Sequence, residues 1–335
     1  MNSHTGLANV EDNDIPTPFS TGALFLATIA LGAGIGLSTP SVAETMSRGI
    51  DSTLLVLIFL LFFELRLGAI AKAFGKVRFL AIAWGANFLI IPVIGFTIAS
   101  LVFSSEPLLF TGLMIYFLAP CTDWFLGFTR MARGDTELGA ALIPINIVTQ
   151  VLLFPIWLWA LTQSSGLFDF GAMPDLLIQW FVLPLLAAQA LRFAADTALP
   201  RVWSDRGFAL ISRCVPVVLA ALIAQIFATH VGALALNPKL FALVALGVCL
   251  FFVMTFLVGE GLARLYHLQY PQRALLAMTM AARNAPLMLA LTAVALPDQP
   301  LILAMIVFGM LVEIPLLTAL KQLLLRLRGV TERGI

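Results

Sequence analysis

Ten apolar runs, each roughly long enough to cross a lipid bilayer, occupy most of the chain. An α-helix needs about 20 apolar residues to span the hydrocarbon core. With 61% hydrophobic and 11% charged residues, the composition is that of a multi-pass membrane protein and excludes a soluble globular one. The predicted spans, numbered in chain order, are 21–38, 52–67, 79–103, 108–128, 136–161, 176–194, 209–229, 240–262, 274–296 and 301–325.

The loops between the spans are short and leave no room for a separate soluble domain. We therefore predict a single membrane domain over residues 21–325, an N-terminal tail over 1–20 and a C-terminal tail over 326–335. Lysine and arginine residues fall almost entirely in the loops on one side, and such loops face the cytoplasm. Both termini are thus predicted to be cytoplasmic, in a multi-pass protein of the bacterial inner membrane.

Five spans followed by five more predict an inverted-topology repeat, because the second five enter the membrane from the opposite side. The predicted repeats cover residues 21–162 and 175–325. Pro120 in span 4 corresponds to Pro286 in span 9, and Gln150 in span 5 corresponds to Glu313 in span 10. The predicted fold class is an all-α membrane protein with ten transmembrane helices, in which spans 4 and 9 are broken and cross.

The two predicted breaks carry the residues that hydrocarbon tolerates least. In span 4, Pro120 is followed by Cys121, Thr122 and Asp123. A proline inside a helix removes a backbone donor and frees carbonyls, which must find partners in protein or in a water-filled cavity. A half-helix beginning after such a break directs the positive end of its dipole at that cavity. We interpret the crossing point as the binding site.

Span 9 carries a charge inside an apolar run. Arg283 follows nine mostly apolar residues, and an unpaired guanidinium at that depth is costly. We therefore expect a carboxylate partner, either Asp123 or Glu313. The neighbouring Asn284 offers an amide that both donates and accepts hydrogen bonds, and Pro286 is expected to break the helix.

Glu313, near the middle of span 10, is the predicted proton or coupling site, because substrate and proton could compete for its buried carboxyl. The alternative role is a structural ion pair with Arg283. Asn146 and Gln150 lie four residues apart on one face of span 5. For these amides, hydrogen bonding between helices and contact with substrate are both open.

The residues at these positions resemble the bile acid:sodium symporter superfamily, and within it the arsenite permeases of the arsenical-resistance type. The resemblance rests on four short segments: Pro120 with Cys121; Arg133, Gly134 and Asp135 followed by Asn146; Ala282, Arg283 and Asn284; and Val312, Glu313, Ile314 and Pro315. It implies ten helices, an essential cysteine at Cys121 and a functional glutamate at Glu313. The sodium-coupled branch carries acidic ligands in span 9, where this chain has Arg283 and no carboxylate, so protons are favoured over sodium.

The resemblance implies efflux of arsenite or antimonite by exchange for protons, with Cys121 in contact with the substrate. The alternative within transport is symport of an organic anion bound at Arg283, and a passive channel is a further alternative. An intramembrane enzyme is not expected, since no matched catalytic set is available. The expected partners are a small inorganic oxyanion or organic anion, a coupling ion and the lipid bilayer. No cofactor, resident metal or nucleic acid is expected.

Overall fold

The computed structural model describes residues 18–64, 77–122, 124–162, 171, 173–198, 201–232 and 238–333. Its named elements are α-helices and two π-helical turns, Ala86–Ile90 and Ile178–Val182. The helices, in chain order, are α1 (Pro18–Ser38), α2 (Pro40–Ser47), α3 (Ile50–Glu64), α4 (Val77–Gly85), α5 (Ile91–Phe103), α6 (Pro107–Leu118), α7 (Trp124–Met131), α8 (Thr136–Thr162), α9 (Met173–Leu177), α10 (Leu183–Ala198), α11 (Arg201–Thr229), α12 (Pro238–Leu265), α13 (Tyr270–Ala281), α14 (Ala285–Ala295) and α15 (Pro300–Arg333).

Six continuous helical segments of the described chain are long and apolar enough to cross a membrane, two of them running through a π-helical turn (Val77–Phe103 and Pro174–Ala198). A seventh span results if the bent pair α2 and α3 is counted as one. The chain is therefore an all-helical, multi-pass membrane protein. The predicted count of ten spans and the inverted repeat go beyond this finding and stay predictions. In the C-terminal region, α15 continues to Arg333, so most of the segment predicted as a tail is helical.

The helices pack in two sets. One set contains α1, α2, α3, α10 and α11, and the other contains α5, α6, α12, α13, α14 and α15. The sets meet where α14 packs on α3 and α1 packs on α15. The long helix α8 packs on α4, α6 and α7, so it flanks the second set. Of the broken helices described below, α6, α13 and α14 lie within that second set, and α7 packs on its members α13 and α15.

A π-helical turn directs one polar side chain of span 3 into the second set. The turn Ala86–Ile90 lies directly before α5, whose first turn contains Pro92. Asn87 lies in this turn and is fully buried, and its Nδ2 donates a hydrogen bond to the Thr279 hydroxyl of α13 at 3.0 Å. A π turn adds a residue to a helical turn and is common at functional sites.

Two glycines bring α1 and α11 into close contact. A Cβ atom at Gly32 would lie 2.5 Å from the carbonyl oxygen of Ala224, and one at Gly36 would overlap the carbonyl oxygen of Ala228. The two glycines are four residues apart, as are the two alanines. Small residues at this spacing let membrane helices approach until their backbones touch, where dispersion contacts drive association.

Replacing Gly32 or Gly36 by alanine should destabilise the protein by roughly 1–3 kcal/mol, because the added methyl group meets backbone rather than a movable side chain. The measurement is thermal unfolding of the purified protein in detergent. Gly34→Ala is the matched control, since nothing lies within 4 Å of a Cβ at that position. Equal melting temperatures for all three variants would contradict the close contact.

Candidate functional site

Spans 4 and 9 are both broken at the predicted places, and their unwound segments are joined by backbone hydrogen bonds. The first break lies between α6 and α7, and the second between α13 and α14. The Cys121 N–H donates to the Ala282 carbonyl at 3.0 Å, and the Asn284 N–H donates to the Ala119 carbonyl at 2.9 Å. Pro120 and Arg283 stand opposite each other in this antiparallel bridge. The pairing satisfies polar backbone that hydrocarbon could not accommodate.

The local sequence explains where each helix stops and restarts. Ala119 precedes a proline and is extended (φ −108°, ψ 115°), since proline disfavours the helical region for the residue before it. In span 9, Asn284 caps α14 by accepting a hydrogen bond from the Leu287 N–H at 3.2 Å. Pro286 lies in the first turn of α14, where its missing N–H costs nothing. It thus starts the second half-helix, which refines its predicted role as a breaker.

The guanidinium of Arg283 caps two helices at once. Its side chain is fully buried. Nη1 donates to the Phe117 carbonyl at 2.9 Å, and Nη2 donates to the Thr279 and Met280 carbonyls, each at 2.8 Å. These carbonyls belong to the last turns of α6 and α13, which have no partner further along their own helices. The C-terminal end of a helix is also its negative end, so the cation is electrostatically matched there.

Of the two carboxylate partners expected for Arg283, Glu313 does not pair with the guanidinium in this geometry, which corrects that alternative. Glu313 accepts a hydrogen bond from the backbone N–H of Arg283 at 2.9 Å, and within the described ranges the partners of the guanidinium are carbonyl oxygens and the Asn87 Oδ1 at 3.5 Å. The Phe251 ring lies 5.3 Å from the guanidinium carbon. The other candidate partner, Asp123, lies outside the described residues.

The carboxyl group of Glu313 accepts three hydrogen bonds. Its Oε2 receives the Tyr116 hydroxyl at 2.7 Å, and its Oε1 receives Trp124 Nε1 at 3.2 Å and the Arg283 N–H at 2.9 Å. The carboxyl is fully buried and ties α15 to both breaks. Sequence reasoning missed Tyr116 and Trp124. The available signal was that they flank the break in span 4, and that a buried tyrosine or tryptophan usually needs a partner for its polar atom.

The remaining predicted residues of the first break are buried beside the second. Cys121 is fully buried, whereas Cys214 is half-buried and Cys249 is exposed, and none of the three forms a disulfide. The Thr122 hydroxyl accepts a hydrogen bond from Asn284 Nδ2 at 2.9 Å, which adds a side-chain link between the breaks. Of the predicted substrate contacts, the structure thus brings together Cys121, Arg283 and Asn284, with Glu313 next to them.

Asn146 and Gln150 are both buried in α8, and their amide atoms find no hydrogen-bond partner among the described residues. Gln150 lines a cavity of about 10 Å³ together with Ala119 at the first break and Met288 of α14. That volume is close to the minimum for one ordered water molecule. Within the described part of the chain, no group of three His, Cys, Asp or Glu residues could hold a metal ion.

The chain is similar to known membrane transporters. The sequence pattern of the Sodium Bile acid symporter family matches residues 52–192. The matched segment covers less than half of the chain. The chain is also 27% identical over 251 residues to the Arsenical-resistance protein Acr3 of Corynebacterium glutamicum, an alignment that covers 71% of this chain and 68% of that relative. Both findings confirm the resemblance recognised in the sequence, and they support a membrane transporter.

The family match and the site overlap only in part. Residues 52–192 include the break at Pro120 and both amides of α8, while Arg283 and Glu313 lie beyond that range. The site therefore joins the segment that matches the family to the later segment that carries Arg283 and Glu313, and the two are linked by the backbone bridge and the Arg283 cap.

Replacing Arg283 by glutamine should destabilise the protein by roughly 2–4 kcal/mol, because carbonyls at two buried helix ends lose their donors. Thermal unfolding in detergent measures the loss. Arg48→Gln is the matched control, since Arg48 is an exposed residue paired with Glu44 and should leave the melting temperature unchanged. If the two glutamine variants melt together, Arg283 does not hold the helix ends.

Proposed function

We propose that this chain exports arsenite or antimonite across the cell membrane in exchange for protons. The observation that carries the proposal is the Cys121 thiol, buried on unwound backbone at the crossing of two broken helices. The similarity to a relative named for arsenical resistance supports the choice of substrate.

A thiol is a chemically suitable contact for trivalent arsenic, which is soft and prefers sulfur as soft metal ions do. A single cysteine binds more weakly than a chelating set of three. Weak binding suits a transporter, because the substrate must also be released on the other side. The other cysteines, Cys214 and Cys249, lie in α11 and α12, away from both breaks along the chain.

Polar groups around the thiol supply the hydrogen bonds that a hydroxylated substrate requires. In this proposal Asn284 contacts the substrate, Thr122 supports Asn284, and Arg283 sets the electrostatic potential of the cavity with Asp123. Asn146 and Gln150 support the site with buried amides that have no described partner. Amides both donate and accept, so they match the hydroxyl groups of arsenite.

Glu313 is proposed as the coupling residue. Its carboxyl accepts three hydrogen bonds from donors on α6, α7 and the second break, an arrangement that fits the ionised state. Proton binding removes this negative charge from the carboxyl that links both broken helices to α15. Substrate and proton can thereby use the site alternately.

We also propose the ten-span architecture, with α6–α7 and α13–α14 each forming one broken span and the two five-span halves inverted. Both termini are then cytoplasmic, which agrees with the distribution of lysine and arginine in the loops. A fluorescent protein fused after Ile335 should fluoresce, because it folds in the cytoplasm. Alkaline phosphatase fused after Ser105, in the loop between spans 3 and 4, should be active. The reverse pattern would rule out this orientation.

Symport of an organic anion is the second candidate, because the matched family is described as a sodium bile acid symporter family. The carboxylate of the organic anion would bind at Arg283, whose Nε has no acceptor among the described residues. In the present conformation the Nη groups are held by helix-end carbonyls, so this candidate requires the guanidinium to be reached through Nε.

The central experiment measures arsenite accumulation in bacterial cells that lack their own efflux system. The intact protein should lower intracellular arsenite, and Cys121→Ser and Glu313→Gln should each abolish most of this effect while still reaching the membrane. Cys214→Ser and Cys249→Ser are the matched controls and should export normally. If Cys121→Ser exports as well as the intact protein, the thiol contact is wrong. If the intact protein has no effect, arsenite is the wrong substrate and organic anions are tested next.

A further inference from the structure

The two oxygens of the Glu313 carboxyl face different kinds of partner. Oε1 receives two N–H groups, from the Arg283 backbone and the Trp124 indole. Oε2 receives one O–H group, from Tyr116. Backbone and indole N–H groups can only donate, whereas a phenol hydroxyl can donate or accept. The two carboxyl oxygens therefore differ in whether their neighbour can accept a hydrogen bond from a proton bound there.

A protonated carboxyl becomes a donor and needs an acceptor. A proton on Oε1 would point at two donors, which would leave buried donors facing one another without an acceptor, at a cost of about 1–3 kcal/mol for each unpaired group. A proton on Oε2 meets the one described neighbour that can accept, and it displaces a single donor, the Tyr116 hydrogen, rather than two. We propose that Tyr116 is the positioning residue that directs protonation of Glu313 to Oε2.

The other groups near this carboxyl do not change the conclusion. The helices packed against α15 are α1, α6, α7, α12, α13 and α14. Within the described ranges, α6 contributes Tyr116, the second break contributes Arg283, and α7 contributes Trp124, which does not titrate. From α1, α12, α13 and α14 no charged or titratable side chain has a described interaction with Glu313. Among the described residues, Tyr116 is thus the hydrogen-bond acceptor available to its acid form.

Proton binding then alters the two halves of span 4 differently. The incoming proton forms the Oε2–H bond, and the Tyr116 oxygen accepts from it. The Tyr116 hydroxyl keeps its own hydrogen, which leaves Oε2 and is the one donor that must find a new acceptor. The two donors on Oε1 stay in place. Protonation thus changes the contact that α6 makes with Glu313 through Tyr116, while the contact that α7 makes through Trp124 persists. This inference rests on the proposed role of Glu313 as the proton site.

Infrared spectroscopy of the purified protein in lipid bilayers tests the inference without transport. The carbonyl stretch of protonated Glu313 is recorded as pH falls and is assigned by its absence in Glu313→Gln. In Tyr116→Phe the acid loses its acceptor, so the band should shift to higher wavenumber. Trp124→Phe removes a donor from Oε1, the carbonyl oxygen of the acid, so its carbonyl band should also rise. The discriminating signal is therefore the C–O stretch of the Tyr116 phenol, which should move as Glu313 is protonated, in the unmodified protein and in Trp124→Phe alike, because the phenol changes from donor to acceptor.

The outcomes separate the inference from the proposed function. A Tyr116 C–O band, assigned by its absence in Tyr116→Phe, that moves as Glu313 is protonated supports the inference. A Tyr116 band that stays in place while the Glu313 band appears overturns it, and so does the absence of a Glu313 band at every pH. If the Tyr116 band moves but the protein exports no arsenite, the proposed substrate fails while the role of Tyr116 stands.

Discussion

The interaction on which the site depends is a guanidinium shared by the ends of two helices. Each helix end carries the equivalent of roughly half a negative charge, so the ends of α6 and α13 together match the single positive charge of Arg283. Three short hydrogen bonds to carbonyls fix the geometry of this match. A charge that would be expensive in a bilayer is thereby used to hold two broken helices at one point.

The carboxyl of Glu313, 30 residues further along the chain, is held by a different set of hydrogen bonds. Glu313 receives the N–H of Arg283 and side-chain donors from both sides of the break in span 4. The same residue, Arg283, therefore serves α6 and α13 through its side chain and Glu313 through its backbone. The crossing point contains a cation and a carboxyl that are close in the chain fold but have separate sets of partners. Among the described residues, the carboxyl of Glu313 can therefore change its protonation state without breaking an ion pair to the Arg283 guanidinium.

Some of this could be predicted from the sequence, and the reasons for the rest are physical. Pro120 and Pro286 made the breaks visible, because proline inside an apolar run conflicts with an unbroken helix. The partner of Arg283 could not be predicted, since carbonyls become acceptors only where a helix ends, and sequence shows side chains alone. Tyr116 and Trp124 were missed because an aromatic residue in an apolar span equally suits lipid or core. The described residues leave the predicted role of Asp123 open.

The Arg283 cap joins two helix ends that are far apart in the chain, and this separation has a consequence for biogenesis. The Phe117 carbonyl and Arg283 are 166 residues apart, so the ribosome completes α6 long before α13 exists. When span 9 enters the bilayer, an arginine at its centre costs roughly 2.5–3.5 kcal/mol, and this cost is fully offset only when the C-terminal end of α6 accepts its hydrogen bond. Insertion of the second half of the protein is therefore energetically coupled to correct docking against the first. The second half expressed alone would carry Arg283 without its bond to the Phe117 carbonyl.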